Sequence, residues 1–236
     1  MLNSTALSKK FLSDGYLKIR PKNQKYLFEI QKIITNKISK TKLSKKNQIS
    51  FLNNFHKFQK PSNLNDTRLK IYNYINSKSI FSKMYYDIVK EHLDILVGNE
   101  LVMQNKINLS IQLPNDKSSI LPMHSDTWSG DSPFEIVVWI PLVNCFKTKS
   151  MFILNPKESK NFYINYKKNS KKNDSKSLYN LYKSKFKWID IKFGEVLIFN
   201  QCLPHGNVEN VTNETRWSLN CRFKSLLTPF DVFSKT

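Results

Sequence analysis

At 236 residues and 27.8 kDa the chain is long enough for one well-filled core, and it holds no run of about eighteen apolar residues that would span a bilayer. Met1 to Asp14 lacks the apolar centre of a secretory signal, and Cys145, Cys202 and Cys221 are odd in number and without metal-ligand spacing, so a soluble protein of the reducing cytoplasm is expected. The formal charge of +20 rests on 38 basic residues of which only Arg20, Arg68, Arg216 and Arg222 are arginine; nucleic-acid recognition leans on guanidinium forks, so this lysine-rich composition speaks against a nucleic-acid partner and reads first as a compositional bias of the source organism, with attraction of an anionic small-molecule substrate as the intermediate reading.

Asp14-Gly15-Tyr16-Leu17-Lys18-Ile19 predicts a short opening strand over residues 15–19. Helical spacing of apolar positions follows over 23–40 and 67–98, broken by Pro61-Ser62 and a serine-asparagine stretch. From residue 99 strand signals dominate, over 101–113, 135–143, 149–154, 187–191, 195–200 and 215–225. The 135–143 segment is apolar on both faces and reads as a central buried strand, on which Trp139 either walls a co-substrate pocket or packs in the core. Residues 157–187, rich in lysine, asparagine, serine and tyrosine, form an insertion with a short helix near Leu178 to Lys185. It serves either as a lid over the site or as a polar excursion. One domain is expected across 1–236, with helices in 1–98 and strands in 99–236.

The chemistry is carried by His124-Ser125-Asp126, then Leu203-Pro204-His205-Gly206, then Arg216-Trp217-Ser218. His-x-Asp alone is a weak signal. Its two side chains, however, project to the same side of an extended segment, and two histidines with one carboxylate on one side of Fe(II) leave positions open for a co-substrate and O2. Of the four histidines, His56 and His92 read as helix-surface or satisfied core residues. Arg216 lies eleven residues after His205, where a following antiparallel strand returns it to the same cavity; a guanidinium there makes the dicarboxylate 2-oxoglutarate the natural candidate. On that strand Arg216, Ser218, Asn220 and Arg222 share one face while Trp217, Leu219, Cys221 and Phe223 share the other, which reads as a lined cavity backed by core. Gln112 and Asn108 share a polar face that meets co-substrate, substrate or solvent, and Asn207, Thr127 and Asn200 are placed to orient an imidazole or carboxylate.

This order of motifs resembles the Fe(II)/2-oxoglutarate dioxygenases, and the text over 107–114, 121–133, 137–154 and 193–229 resembles the phytanoyl-CoA dioxygenase superfamily, most closely the oxygenases of sporadic carbohydrate biosynthesis clusters. The resemblance implies a double-stranded β-helix, the jelly-roll or cupin-like barrel, with 1–98 as an N-terminal helical brace. It implies His124, Asp126 and His205 as iron ligands, Arg216 with Ser218 as the 2-oxoglutarate anchor, and hydroxylation of a sugar or carbohydrate precursor. Where relatives carry Asn-Gly and Pro-Gly-Ser-His, this chain has Lys149-Ser150-Met151 and Asn155-Pro156-Lys157-Glu158-Ser159, which bears on substrate identity. The alternatives are an AlkB-like nucleic-acid demethylase, suggested by the paired Arg216 and Arg222, and a cupin-like protein that holds metal without oxidising anything.

Overall fold

The computed structural model describes residues 4–39, 41–168 and 175–230. The first three residues, Lys40 at the expected end of the first long helix, residues 169–174 of the expected insertion and residues 231–236 lie outside it. The chain begins with α1 (Ser4–Asp14) and β1 (Tyr16–Ile19), continues through α2 (Gln24–Ile38), α3 (Lys45–Asn53), α4 (Leu64–Asn76) and α5 (Ser79–Leu96), and then turns to strands. These are β2 (Leu101–Met103), β3 (Asn108–Gln112), β4 (Ile136–Pro141), β5 (Phe152–Ile153), β6 (Lys187–Trp188), β7 (Val196–Asn200), β8 (His205–Gly206) and β9 (Arg216–Ser225). Two helices, α6 (Pro156–Lys168) and α7 (Ser175–Tyr182), fall between β5 and β6. Neither α1 nor α3 is foreshadowed by the expectations above, because both are short and weakly amphipathic.

The strands form two antiparallel sheets. The larger runs β1-β7-β4-β9-β2, with β3 on the same edge of β9 as β2, and the smaller runs β6-β5-β8. β4 is buried along its whole length, as the absence of a polar face predicts. β9 alternates as its sequence demands: Trp217, Leu219, Cys221 and Phe223 are buried in the main core, while Arg216, Ser218, Asn220 and Arg222 face a cavity.

The helices pack on the core face of the large sheet through apolar positions one turn apart: Leu27, Ile30 and Ile34 on α2, and Phe81, Tyr85, Ile88 and Val89 on α5. Several polar groups caught in this interface donate to the strand layer or to its neighbours. The Tyr85 hydroxyl donates to the Val138 carbonyl at 2.7 Å, Gln31 Nε2 to Leu142 O at 2.6 Å, and Trp217 Nε1 to Leu52 O at 3.0 Å, so α5, α2 and α3 are each fixed to the strand layer.

The strand expected over 101–113 is two strands. β2 pairs Met103 with Phe223, and β3 resumes with Asn108 opposite Asn220, so residues 104–107 stand against only Cys221 and Arg222. Period-two patterning persists on both sides of such a bulge and does not reveal it. The strand expected over 149–154 shrinks to β5 because Lys147 takes a left-handed φ of 47° and residues 147–149 form a 3-10 turn. That turn buries Lys149, whose ammonium donates to Glu214 at 2.6 Å and to Asn53 at 2.8 Å.

α1 stops at Gly15, which has φ +77° and donates its N–H to Phe11 O at 2.8 Å, a helix-terminating conformation that favours glycine. A Cβ there would lie 2.3 Å from Leu203 Cδ1. Gly15→Ala is expected to destabilise the fold by about 1–3 kcal/mol from the backbone strain together with the overlap. In urea unfolding, Leu203→Ala in the Gly15→Ala background should recover the steric part, so the double variant should be more stable than the sum of the two single effects.

Candidate metal centre

His124 and His205, 81 positions apart, meet as backbone partners across an isolated antiparallel bridge, His124 N donating to His205 O at 2.9 Å and His205 N to His124 O at 2.8 Å. Directly opposed residues of antiparallel strands point their side chains to one side, and the two imidazole centroids lie 4.5 Å apart. Gly206 permits this approach, since a Cβ there would sit 2.8 Å from Leu121 O and 3.0 Å from Pro122 O. Two residues beyond His124 the chain turns into a 3-10 helix at Asp126, held down by Asp126 N and Ser125 Oγ donating to Gln201 O. Asp126 Oδ1 then lies 3.4 Å from His124 Nε2 and 3.6 Å from His205 Nε2, with one donor atom from each of the three residues lying within 4.8 Å of the others.

The imidazoles are set by carbonyls two residues upstream: His124 Nδ1 faces Pro122 O at 2.7 Å and His205 Nδ1 faces Leu203 O at 2.8 Å. A carbonyl only accepts, so Nδ1 carries the proton in a neutral ring and the Nε2 lone pair is left for the cluster. Burial lowers the pKa of His205 to about 4, with His124 adding to the effect, so His205 is neutral at neutral pH. For His124 burial also pulls downward, but the Asp126 carboxylate and the Pro122 carbonyl outweigh it and the net shift is upward. Burial pushes Asp126 up as well, yet the His124 hydrogen bond and the charges of His205 and Arg222 hold it at about 2, as a carboxylate. An anionic oxygen and two imidazole nitrogens converging on one point suit a divalent first-row metal such as Fe(II).

The other carboxylate oxygen is gripped by a residue whose role the sequence did not reveal. Arg222 Nη2 lies 2.9 Å from Asp126 Oδ2 and 3.1 Å from Asp131 Oδ2, and Arg222 Nε donates to Gln201 Oε1 at 3.0 Å. Gln201 in turn donates to Ser132 O and, at 3.1 Å, to Glu135. Arg222 thus occupies Oδ2 and turns Oδ1 toward the histidines. The signal that could have found it was its place on the same face of β9 as Arg216.

Arg216 is different. It is buried in the cavity wall, donates to Ser110 Oγ at 3.0 Å and Ser150 O at 3.5 Å, and has no carboxylate within ion-pair distance among the described residues. Burial lowers it to about 10, so it stays charged at neutral pH. Its Nε and the nearby Ser218 Oγ are both buried without a partner. A buried guanidinium with spare donors is costly unless an anion completes it, and a carboxylate fits.

Both features open on one cavity of about 540 Å3, lined also by Ser110, Met151, Asn108, Asn220, Asn207 and Trp139. Trp139 is therefore both core and wall. Asn207 lines the cavity, but its Oδ1 accepts from Leu121 N at 2.7 Å and so tethers the segment leading to His124 rather than an imidazole. Thr127 bonds Ser125 Oγ at 2.7 Å and Asn200 accepts from Cys202 N at 2.9 Å, so both shape loops and neither orients a ligand ring. Gln112 is buried outside the cavity lining, donating to Val208 O at 2.7 Å. His56 Nδ1 faces Thr215 Oγ1 at 3.1 Å, and His92 sits half-buried on α5, both away from the cluster.

The insertion is not a lid in its described part, because none of its residues lines the cavity. Phe162 and Tyr166 of α6 stack on Trp128 with centroids at 5.7 and 5.9 Å, and the Tyr163 hydroxyl donates to Cys202 O at 2.7 Å. α6 therefore props the loop of Asp126 from outside.

No protein-family model and no curated protein matches the sequence. Among solved structures the chain is similar to EctD from S. alaskensis in its apo form, at 14% identity and a TM-score of 0.62, covering 100% of this chain and 82% of that one. It is similar to the non-heme monooxygenase ThoJ in complex with nickel, at 13% identity and a TM-score of 0.60, covering 93% and 77%. It is also similar to HygX from Streptomyces hygroscopicus with nickel and 2-oxoglutarate bound, at 11% identity and a TM-score of 0.59, covering 94% and 87%. At these identities the likeness is one of fold, and the chain shares the fold of these three structures.

Proposed function

We propose that the chain is an Fe(II)- and 2-oxoglutarate-dependent oxygenase that hydroxylates a small molecule. Support comes above all from one observation: a charged, buried Arg216 with unspent donors and no acidic partner shares a cavity with the His124, Asp126 and His205 cluster. A metal-only binding protein has no need of the second feature. In this reading His124, Asp126 and His205 hold the metal, Arg216 and Ser218 take the far carboxylate of 2-oxoglutarate, and the two antiparallel sheets are the halves of a jelly-roll barrel with α1–α5 bracing the larger one. The core cluster running from Leu27 to Phe223 supports a single domain over 1–236. Bound together, Fe(II), 2-oxoglutarate and O2 would supply the oxidising power, with 2-oxoglutarate giving succinate and CO2.

The protein's own residues supply orientation. The backbone pair fixes both imidazoles, the Pro122 and Leu203 carbonyls keep Nε2 available, and Arg222 holds Asp126 Oδ2 so that Oδ1 faces the histidines. Trp139, Met151 and Leu109 give the cavity apolar wall that limits water at the reacting centre. A sugar-type substrate and a cytoplasmic setting rest on the resemblance of the C-terminal half; the polar floor made by Asn108 and Asn220, joined at 3.1 Å, is suited to hydroxyl groups. The nucleic-acid alternative loses ground because Arg222 is committed to Asp126 and Asp131.

Two assays check this. Purified protein should release succinate only when Fe(II), 2-oxoglutarate and O2 are all present, and His124→Ala, Asp126→Ala or His205→Ala should each abolish both the release and anaerobic Fe(II) binding by calorimetry. Metal binding that survives in any two of these variants would remove the triad.

The two arginines should separate cleanly. Arg216→Lys keeps charge but loses the fork and should weaken 2-oxoglutarate by about 10–100-fold, on the order of 1–3 kcal/mol, with Fe(II) affinity little changed. Arg222→Lys should instead weaken Fe(II) by about 10–100-fold, as loss of a ligand's hydrogen-bond partner does. Calorimetry with each ligand in turn reads the crossover, and the opposite pattern would assign the anchor to Arg222.

A further inference from the structure

Three of the four arginines in a lysine-dominated chain line this single cavity: Arg68, Arg216 and Arg222. Arg222 is paired with Asp126 and Asp131, and Arg216 is matched to the co-substrate, which leaves Arg68 without an assigned partner. We infer that Arg68 anchors an acidic group on the substrate, so that the molecule oxidised here carries a carboxylate or a phosphate. The inference rests on the oxygenase reading above and extends it to the substrate class.

Arg68 projects from α4 into the cavity wall and is held rigidly there. Its Nη2 donates to Ser119 Oγ at 2.9 Å and to Ile111 O at 3.2 Å, and its Nη1 to Asn65 Oδ1 at 3.2 Å. Three of the five N–H donors of a guanidinium are used on this chain, and the others remain for a ligand. It makes no ion pair among the described residues. The acidic group nearest in effect, Asp116, acts on Arg68 through its charge without forming an ion pair, and spends its carboxylate on Ser118 N at 2.9 Å, Ser118 Oγ at 2.8 Å and Ser119 Oγ at 3.2 Å. A half-buried cation held by three neutral acceptors is a seat prepared for an oxyanion rather than a stray surface charge.

The charge balance of the cavity points the same way. Its lining carries three arginines against two carboxylates, Asp126 and Asp131. With a divalent metal and dianionic 2-oxoglutarate offsetting one another, the lining keeps one more arginine than carboxylate, which favours an anionic group on the substrate. From α4, Arg68 also bonds Ser119 at the start of the segment that leads to His124, which Asn207 ties down at Leu121. An acid held there would sit on the approach to the metal ligands and set which carbon of the substrate faces them.

The test is anaerobic calorimetry on protein loaded with Ni(II) and saturated with 2-oxoglutarate, so that Arg216 is already occupied, using acetate and inorganic phosphate as probes. Wild type should bind at least one probe, and the tighter of the two identifies the acid. Arg68→Gln should weaken that probe by about tenfold or more, Arg68→Lys should lie between, and Arg20→Gln, which removes the same charge from an exposed position, should have no effect. Equal weakening in Arg20→Gln and Arg68→Gln would show attraction to net charge alone and overturn the anchor, as would a probe indifferent to Arg68→Gln. Unchanged 2-oxoglutarate affinity in Arg68→Gln shows that the cavity is intact; if it changes, the Arg68→Lys value decides, and wild-type affinity there overturns the fork. Failure of 2-oxoglutarate to bind wild type would sink the oxygenase reading itself, whereas normal 2-oxoglutarate binding with probes that ignore Arg68 removes only the anchor.

Discussion

Everything at the centre depends on a pair of backbone hydrogen bonds between His124 and His205. They close a gap of 81 positions, and because directly opposed residues of antiparallel strands share a face, they bring two imidazoles together without any side-chain contact having to do so. The remaining features of the site secure that pair. Gly206 keeps the two segments close, Gln201 pins the turn at Asp126, Asn207 holds Leu121, and α6 braces Trp128 from outside. Ligand geometry is thus set largely by main chain, which is stiffer than side-chain packing and less dependent on the identity of neighbouring residues.

Charge is apportioned with similar economy. Of the cavity arginines, Arg222 is ion-paired with both Asp126 and Asp131, while Arg216 stands buried with Nε and the Ser218 hydroxyl unsatisfied. An uncompensated buried cation lowers the stability of the folded chain and is retained where a ligand completes it. Two arginines on one strand face, six positions apart, thereby differ in role because one meets carboxylates of its own chain and the other does not.

Much of this was legible in the sequence. His-x-Asp, the later histidine and the arginine eleven residues beyond it were enough to predict which side chains converge, because strand alternation and hairpin return are local rules that motif spacing expresses directly. The buried β4 and the two-faced β9 were equally plain in their apolar patterns. What escaped notice was of a different kind. The carbonyls of Pro122 and Leu203 that set the imidazoles are backbone groups and leave no residue signature. The bulge opposite Cys221 and Arg222 preserves alternation, and whether Arg222 or Arg216 finds a carboxylate depends on where a separate loop brings Asp126 and Asp131. The polar residues Gln112, Thr127 and Asn200 looked like ligand partners only because sequence proximity to a site does not say which way a side chain turns.

The most direct measurement is an anaerobic crystal structure of the chain soaked with Fe(II) and 2-oxoglutarate, with anomalous scattering collected at the iron edge. One anomalous peak per chain is expected, within bonding distance of His124 Nε2, Asp126 Oδ1 and His205 Nε2, with the far carboxylate of 2-oxoglutarate paired to Arg216 and Arg222 still on Asp126 Oδ2. Iron bound away from these three atoms, or a co-substrate carboxylate resting on Arg222 with Arg216 left unpaired, would contradict the account.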